Sequence, residues 1–125
     1  MTNKPPVTTQ HTDELKPLRL ADNVVFPKQI LEEHLHDLSG PEYKVLSYII
    51  LRTIGRGKQG DHIAGSQFTH GIARGDGVVM DHGTGCSASA VRVAIDSLEQ
   101  RGLIIVERAG TNRRGDINRY TLNAR

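Results

Sequence analysis

The order of segments in the last third of the sequence restricts the fold more than any other feature. Ser87 is a typical helix N-cap, and apolar residues then recur at helical spacing as far as Gly102, a common helix stop. Two strand-like runs follow, Leu103–Arg108 and Ile117–Leu122, on either side of the polar segment 109–116. The sequence therefore predicts a helix followed directly by a β-hairpin.

Two helices are predicted near the start of the ordered chain. The first covers residues 27–37 and begins with proline, which suits the first turn of a helix. The second follows a capping-box pattern in which Ser39 and Glu42 satisfy each other's backbone amides. Its apolar residues extend to about Thr53, and Gly55 is expected to stop it. Because this helix is apolar on nearly all sides, it is predicted to be the central one.

The middle of the chain predicts shorter elements. His62–Ala64 is long enough for one short strand, and Ser66 fits the N-cap of a small helix. The glycine-rich segment 73–86 predicts a loop with a small hairpin, because Gly-Asp-Gly is a turn signal. The fold class is therefore α+β, mainly α: a winged helix-turn-helix with a helical core and a C-terminal β-hairpin wing.

Length and composition place this fold in one domain. The 125 residues include no Trp and few other aromatic residues, so the core is expected to be aliphatic. Residues 1–22 are polar with no sustained period and are predicted to be a disordered leader, which leaves 23–125 for the domain. A single cysteine, Cys86, and the lack of a signal peptide or membrane-length apolar run indicate a cytoplasmic protein without membrane contact.

Nine short motifs follow one another from about residue 25 to 123. They are Phe26-Pro27, Leu38–Gly40, Glu42–Leu46, Ile54–Lys58, Asp61–Ala64, Ser66–Phe68, Gly83–Ser87, Leu98–Ile104 and Asn118–Asn123. In this order they resemble the winged-helix N-terminal domain of the phage replication protein O family. The resemblance implies sequence-specific binding of double-stranded DNA in phage- or plasmid-type replication initiation.

The sequence departs from this family in two respects. Members usually have extra basic residues at the start of the recognition helix, where this chain has Ser87–Ala90. The helicase-recruiting C-terminal region of the family's initiators has no counterpart in these 125 residues. We therefore expect DNA binding rather than the full activity of an initiator.

The predicted recognition helix carries four candidate DNA contacts. With Val91 on the buried side, a rotation of about 100° per residue turns Arg92 and Val93 outward. An arginine there can fork onto a guanine, and a valine can touch a thymine methyl group. Ser87 and Ser89 can bond phosphates or base edges at the helix N-terminus. The alternative for Arg92 is a surface ion pair with Asp96, one helical turn later.

The predicted wing carries the densest positive charge. Residues 108–119 contain four arginines against one acidic residue, Asp116. Arginines with small polar neighbours suit phosphate contacts or entry into a minor groove. The candidate contacts are Arg108, Thr111, Asn112, Arg113, Arg114 and Arg119. The alternative is an ordinary solvated hairpin tip.

The small middle helix contributes Ser66, Gln67 and Thr69 as candidate phosphate contacts, with helix capping as the alternative for Ser66. No catalytic motif, metal-ligand spacing or phosphate-binding loop is present, so we expect no enzymatic activity, cofactor or metal. The alternatives to a replication role are a small transcriptional regulator that uses the same surface and a winged-helix module that binds proteins instead of DNA. Replication or transcription proteins are further candidate partners, and the chain is expected to be a monomer or weak dimer.

Overall fold

The computed structural model describes residues 22–109 and 117–123 and has the predicted α+β class. The predicted leader therefore lies, except for Asp22, outside the described residues. The helices are α1 (Lys28–Glu33), α2 (Gly40–Arg52), α3 (Gly65–His70) and α4 (Ala88–Gln100), with single 3-10 turns at Leu35–Asp37 and Ile54–Arg56. The strands are β1 (Gly60–Ala64), β2 (Ile72–Ala73), β3 (Val79–Asp81), β4 (Ile104–Glu107) and β5 (Ile117–Leu122).

Helix α2 is the central element, as its sequence predicted. The capping box is confirmed: Ser39 Oγ accepts from the Glu42 amide at 3.1 Å, and the Ser39 amide donates to Glu42 Oε1 at 2.8 Å. Fully buried aliphatic side chains, Leu46 and Ile49 among them, then face the core from α2. Packing of α2 against α4 places the core between these two helices and the larger sheet.

The helix predicted over residues 27–37 is interrupted. Helix α1 ends at Glu33, and His34 has a backbone φ of −120°, which is outside the helical region. The tighter 3-10 turn Leu35–Asp37 follows, and the chain extends at Leu38 before the cap of α2. Pro27 is the N-cap of α1, so it precedes the first helical position by one residue.

The prediction that Gly55 stops α2 is wrong. The helix ends at Arg52 with Thr53 as its C-cap, the Thr53 hydroxyl donates to the carbonyl of Ile49 at 2.7 Å, and Gly55 lies inside the following 3-10 turn. The left-handed residue is Gly57, with φ of +69°. The extra 3-10 turn moves the glycine requirement two residues downstream.

The larger sheet is antiparallel with strand order β1-β5-β4, so the predicted C-terminal hairpin β4–β5 is confirmed. Strand β1 is longer than predicted because Gly60 and Asp61 also pair with β5, opposite Thr121 and Tyr120. Alternation along β5 directs Tyr120 into the core, where its ring meets Phe68 edge-on with centroids 5.1 Å apart.

The small hairpin predicted in 73–86 is also present, formed by β2 and β3. Two glycines cross at its base: a Cβ on Gly71 would lie 2.6 Å from the backbone nitrogen of Gly83, and one on Gly83 would lie 2.5 Å from that of Gly71. Both have positive φ, so only glycine fits. This hairpin makes the α3–α4 connection much longer than a tight turn.

No helix in the described ranges, 22–109 and 117–123, is long and apolar enough to span a bilayer.

Candidate nucleic-acid interface

An open cleft lies between α3, α4 and the base of the β4–β5 hairpin. It encloses about 780 Å³. Its lining consists of Gly65, Ser66, Thr69, His70, Ala88, Val91, Arg92, Ile95, Asp96, Arg108, Asn118 and Tyr120. Four of the residues predicted to bind DNA, Ser66, Thr69, Arg92 and Arg108, are therefore brought together from three separate parts of the chain.

Helix α4 presents Arg92 to this cleft because its cap and its buried side fix its rotation. Ser87 Oγ accepts from the Ala90 amide at 3.2 Å, which confirms the predicted N-cap. Val91 and Leu98 are buried in the core, so Arg92 is turned outward. Arg92 makes no hydrogen bond or ion pair with any other residue that the structure describes.

The alternative pairing of Arg92 with Asp96 is wrong. Among the described residues, Asp96 instead pairs with Arg108, whose Nη2 lies 3.9 Å from Asp96 Oδ1. Arg108 follows β4 and extends over the surface of α4. Asp96 therefore pairs with an arginine from another element and not with Arg92 on its own helix. The cleft therefore contains one unpaired arginine and one paired arginine.

Arg108 is held mainly by Glu99. Its Nη1 and Nη2 donate to the two carboxylate oxygens of Glu99 at 3.1 and 2.9 Å, a bidentate geometry. Hydrogen bonds from Arg108 lower the pKa of the Glu99 carboxyl below its usual value, and the same bonds raise the pKa of Arg108. Both groups stay ionised around neutral pH, and the charge of Arg108 is balanced within the protein.

Arg119 lies away from the cleft. Along β5, Asn118 and Tyr120 line the cleft, and the alternation of side chains directs Arg119 to the opposite face of the sheet. There it donates to Glu107 Oε2 at 2.9 Å and to Thr121 Oγ1 at 3.0 Å. Sequence position alone grouped Arg119 with Arg108, but the pleat of the strand separates them.

Helix α3 uses its three candidate residues differently from the prediction. Ala64, not Ser66, is at the N-cap position, and Gln67 Oε1 accepts from the Ala64 amide at 3.1 Å. The same oxygen accepts from Arg52, so Gln67 serves the interior and not the cleft. Ser66 is exposed at the cleft. Thr69 lines the cleft too, and its buried Oγ1 has no hydrogen-bond partner among the described residues.

Two of the remaining candidates on α4, Ser89 and Val93, face a second, smaller groove. Ser89 and Val93 lie beside Pro41 at the start of α2, and the Val93 side chain is 68% exposed. Ser87 is exposed at the helix start, with its Oγ 3.3 Å from that of Ser89. The outward surface of α4 is thus divided, with Arg92 on the cleft side and Val93 on the α2 side.

Four predicted wing contacts, Thr111, Asn112, Arg113 and Arg114, lie outside the described residues. The described residues on either side of this segment are joined directly, because the Ala109 amide donates to Asn118 Oδ1 at 3.2 Å. Arg108 and Asn118, on either side of segment 110–116, both line the cleft.

Sequence reasoning missed a polar network behind the cleft, centred on Arg52. This side chain is 5% exposed and donates to Asp61, Tyr48, Gln67 and the carbonyl of His62 at 2.9–3.2 Å. Burial raises the pKa of the Tyr48 phenol. Burial alone would also raise the pKa of Asp61, but the charges and hydrogen bonds of Arg52 and Lys58 together outweigh burial, so that pKa is lowered.

The network also reaches the β2–β3 hairpin. The Tyr48 hydroxyl donates to Asp81 Oδ2 at 3.2 Å, and Asp81 Oδ1 accepts from the Gly83 amide at 2.9 Å. An arginine at the end of an otherwise apolar helix was the only sequence signal for this network. Asn118 and Tyr120, which also line the cleft, were quoted in the family motif but were not singled out as site residues.

Within the described ranges, no three His, Cys, Asp or Glu side chains are grouped so that they could hold a metal ion. Comparison of the chain with protein-family models, with curated proteins and with solved structures finds no match.

Proposed function

We propose that this domain is a winged helix that binds double-stranded DNA sequence-specifically, with α4 in the major groove and the β4–β5 hairpin on the flanking backbone. The observation that carries the proposal is Arg92. It is an exposed arginine on the outward face of α4, unpaired within the described structure, and it lies in a cleft with two hydroxyl-bearing residues of α3. A helix of this kind with a hairpin beside it is the arrangement by which winged helices bind duplex DNA.

Each surface of α4 has a role in this binding mode. Arg92 donates to a guanine edge or to a phosphate, and Val93 contacts a thymine methyl group. Ser87 and Ser89 contact the backbone at the start of the helix, and Ser66 of α3 contacts a phosphate across the cleft. The exposure of these five side chains supports the assignment.

The basic segment 110–116 supplies the backbone contacts of the wing. Arg113 and Arg114 are the cations in it, and the described residues Arg108 and Asn118, before and after it, line the cleft. The double substitution Arg113→Ala with Arg114→Ala is expected to weaken binding and to reduce its salt dependence by about two phosphate contacts. Unchanged affinity would show that the wing assignment is wrong.

The direct test is binding to a pool of random-sequence duplexes, followed by measurement with the selected duplex at two salt concentrations. Affinity should fall steeply as salt rises, because each neutralised phosphate releases counterions. Arg92→Ala should weaken binding. The matched control is Lys28→Ala, which removes one positive charge from an exposed residue of α1, outside the cleft. Equal effects of the two substitutions would contradict a specific role for Arg92.

The cellular role within this proposal is replication initiation, which rests on the resemblance to the protein O family. A transcriptional regulator would use the same surface. Duplexes from the replication origin and from promoters of the same genome distinguish them: preferred binding to repeated origin sites supports the replication role, and preferred binding to promoters supports regulation.

A protein-interaction module is the second candidate function, favoured by three consecutive exposed apolar residues on the β2–β3 hairpin, Val78, Val79 and Met80. Adjacent exposed apolar residues are typical of surfaces that bind other proteins. No binding to any duplex at low salt would overturn the DNA proposal and favour this one.

A further inference from the structure

We infer that Arg108 acts in the proposed DNA site as a positioning residue, which through its ion pair with Glu99 fixes the base of the β4–β5 hairpin against α4. The inference rests on the proposed function. It replaces the direct phosphate contact that the sequence predicted at Arg108. Glu99, which the sequence did not single out, is the second member of this positioning pair.

The geometry ties two elements together. Arg108 directly follows β4, Glu99 is in the last turn of α4, and two parallel hydrogen bonds of 3.1 and 2.9 Å join them. A bidentate arginine–carboxylate pair restricts orientation as well as distance. On the next residue, the Ala109 amide donates to Asn118 Oδ1 and closes the two strands at the same level. The described end of β4 is therefore fixed relative to α4, the helix that carries Arg92.

The electrostatics argue against a phosphate contact at Arg108. Its guanidinium has Glu99 at 2.9 Å and Asp96 at 3.9 Å, so two carboxylates surround one cation. These three groups together carry a net charge of about −1, so Arg108 has no uncompensated positive charge to offer a phosphate. Arg92, on the same side of α4, has no carboxylate partner within the described structure and is the cation available to DNA.

The two roles predict opposite signs for one substitution. If Arg108 bound phosphate, Glu99→Gln would release it and strengthen DNA binding. If Arg108 positions the hairpin, Glu99→Gln should weaken binding by about two- to fivefold, the equilibrium effect of losing a half-exposed ion pair. The matched control is Asp96→Asn, which removes the same charge from α4 without breaking the bidentate pair. It is expected to leave affinity unchanged or to raise it slightly.

A charge exchange gives the second arm. It is made in the Asp96→Asn background, because Asp96 lies 3.9 Å from the Arg108 guanidinium and would repel a carboxylate at position 108. In that background, Glu99→Arg combined with Arg108→Glu keeps the net charge and allows the pair to form in reverse. Affinity within about twofold of wild type supports positioning. Further loss beyond that of Arg108→Ala would overturn it, because it would show that position 108 itself needs a positive charge. Stronger binding by Glu99→Gln than by Asp96→Asn would overturn it as well.

A measurement on the free protein separates this inference from the proposed function. Hydrogen exchange of the Ala109 amide should be faster in Glu99→Gln than in wild type and should return toward the wild-type rate in the charge-exchanged variant. Unchanged exchange in Glu99→Gln would overturn the positioning role even if DNA binds. Failure of wild type to bind any duplex would overturn the proposed function while leaving this measurement interpretable.

Discussion

Two arginines show how differently this chain uses one residue type. Arg52 is buried, and its guanidinium donates to four internal acceptors. Arg92 is exposed, borders the cleft and has no internal acceptor among the described residues. A guanidinium whose hydrogen bonds are already made stabilises the fold, whereas one whose donors are free is available to a ligand. The number of internal acceptors therefore separates Arg52, which is engaged within the fold, from Arg92, which is available to a ligand.

The largest expected effect is the loss of folding stability when Arg52 is removed. Arg52→Ala should lower the free energy of unfolding by about 3–5 kcal/mol, because Asp61 would keep only the half-exposed Lys58 as a cation and the other buried acceptors of Arg52 would lose their donor. Arg92→Ala should change it by less than about 0.5 kcal/mol, as is usual for an exposed side chain. Urea denaturation of both variants measures the difference. Similar stabilities would show that the buried network does not hold the fold.

The next largest effect is the loss of DNA affinity when Arg92 is removed. In the proposed complex, Arg92→Ala should cost about 1–3 kcal/mol of binding free energy at a single base pair and little at the others. Arg119→Ala removes the same charge from the opposite face of the sheet and should change affinity less than twofold. Affinities for a set of single-base-pair variants of the preferred duplex give both numbers. A uniform loss across that set would make Arg92 a phosphate contact.

Acid should lower the stability of the fold by protonating Asp61, the carboxylate that pairs with Arg52. Burial raises the pKa of Asp61, but the charges and hydrogen bonds of Arg52 and Lys58 together outweigh burial and hold its folded pKa below the ordinary value of 3.8. Its contribution to stability is therefore fully present above pH 3.8 and is lost as the pH falls through the lower, folded pKa. Stability measured from pH 6 to pH 2 should therefore fall at the acid end. In Asp61→Asn this fall should be shallower, and the variant should be less stable at neutral pH. Parallel curves would exclude Asp61 as a source of the acid sensitivity.

Two buried threonines differ in the same way, and a smaller effect is expected from them. Thr53 Oγ1 is buried and donates to Ile49, whereas Thr69 Oγ1 is buried with no partner in the described structure. Thr53→Val should therefore cost about 1 kcal/mol, and Thr69→Val should be neutral or slightly stabilising, because no hydrogen bond is lost. Thermal unfolding of the two variants decides. Equal losses would indicate that Thr69 has a partner in the folded protein.

The parts of the fold that depend on neighbouring residues could be predicted from the sequence. The capping box at Ser39, the cap at Ser87 and the hairpin β4–β5 all follow from short patterns. The break in the helix at His34 and the displaced stop after Gly55 could not be predicted, because they depend on how the chain enters and leaves α2. Local patterns place the elements well but fix their ends poorly.

The candidate site was predictable only as a set of residues. Helical periodicity correctly turned Arg92 outward, but no pattern shows that Arg108 pairs with Glu99 or that Gln67 serves Arg52. These partners are distant in sequence or on different elements, so only the packed structure selects them. Arg119 could not be separated from Arg108 by sequence position, because the face on which it lies depends on which of its neighbours along β5 points into the core.

The glycine crossing at the base of the β2–β3 hairpin separates the length of the α3–α4 connection from the distance between the two helices. Gly71 and Gly83 meet backbone to backbone, so the chain beyond them forms a side branch with its own closed base. Residues added at the tip, between Gly75 and Gly77, would lengthen this branch without moving α3 relative to α4. The tip is therefore the natural place to graft a reporter peptide or a fluorescent label on this domain.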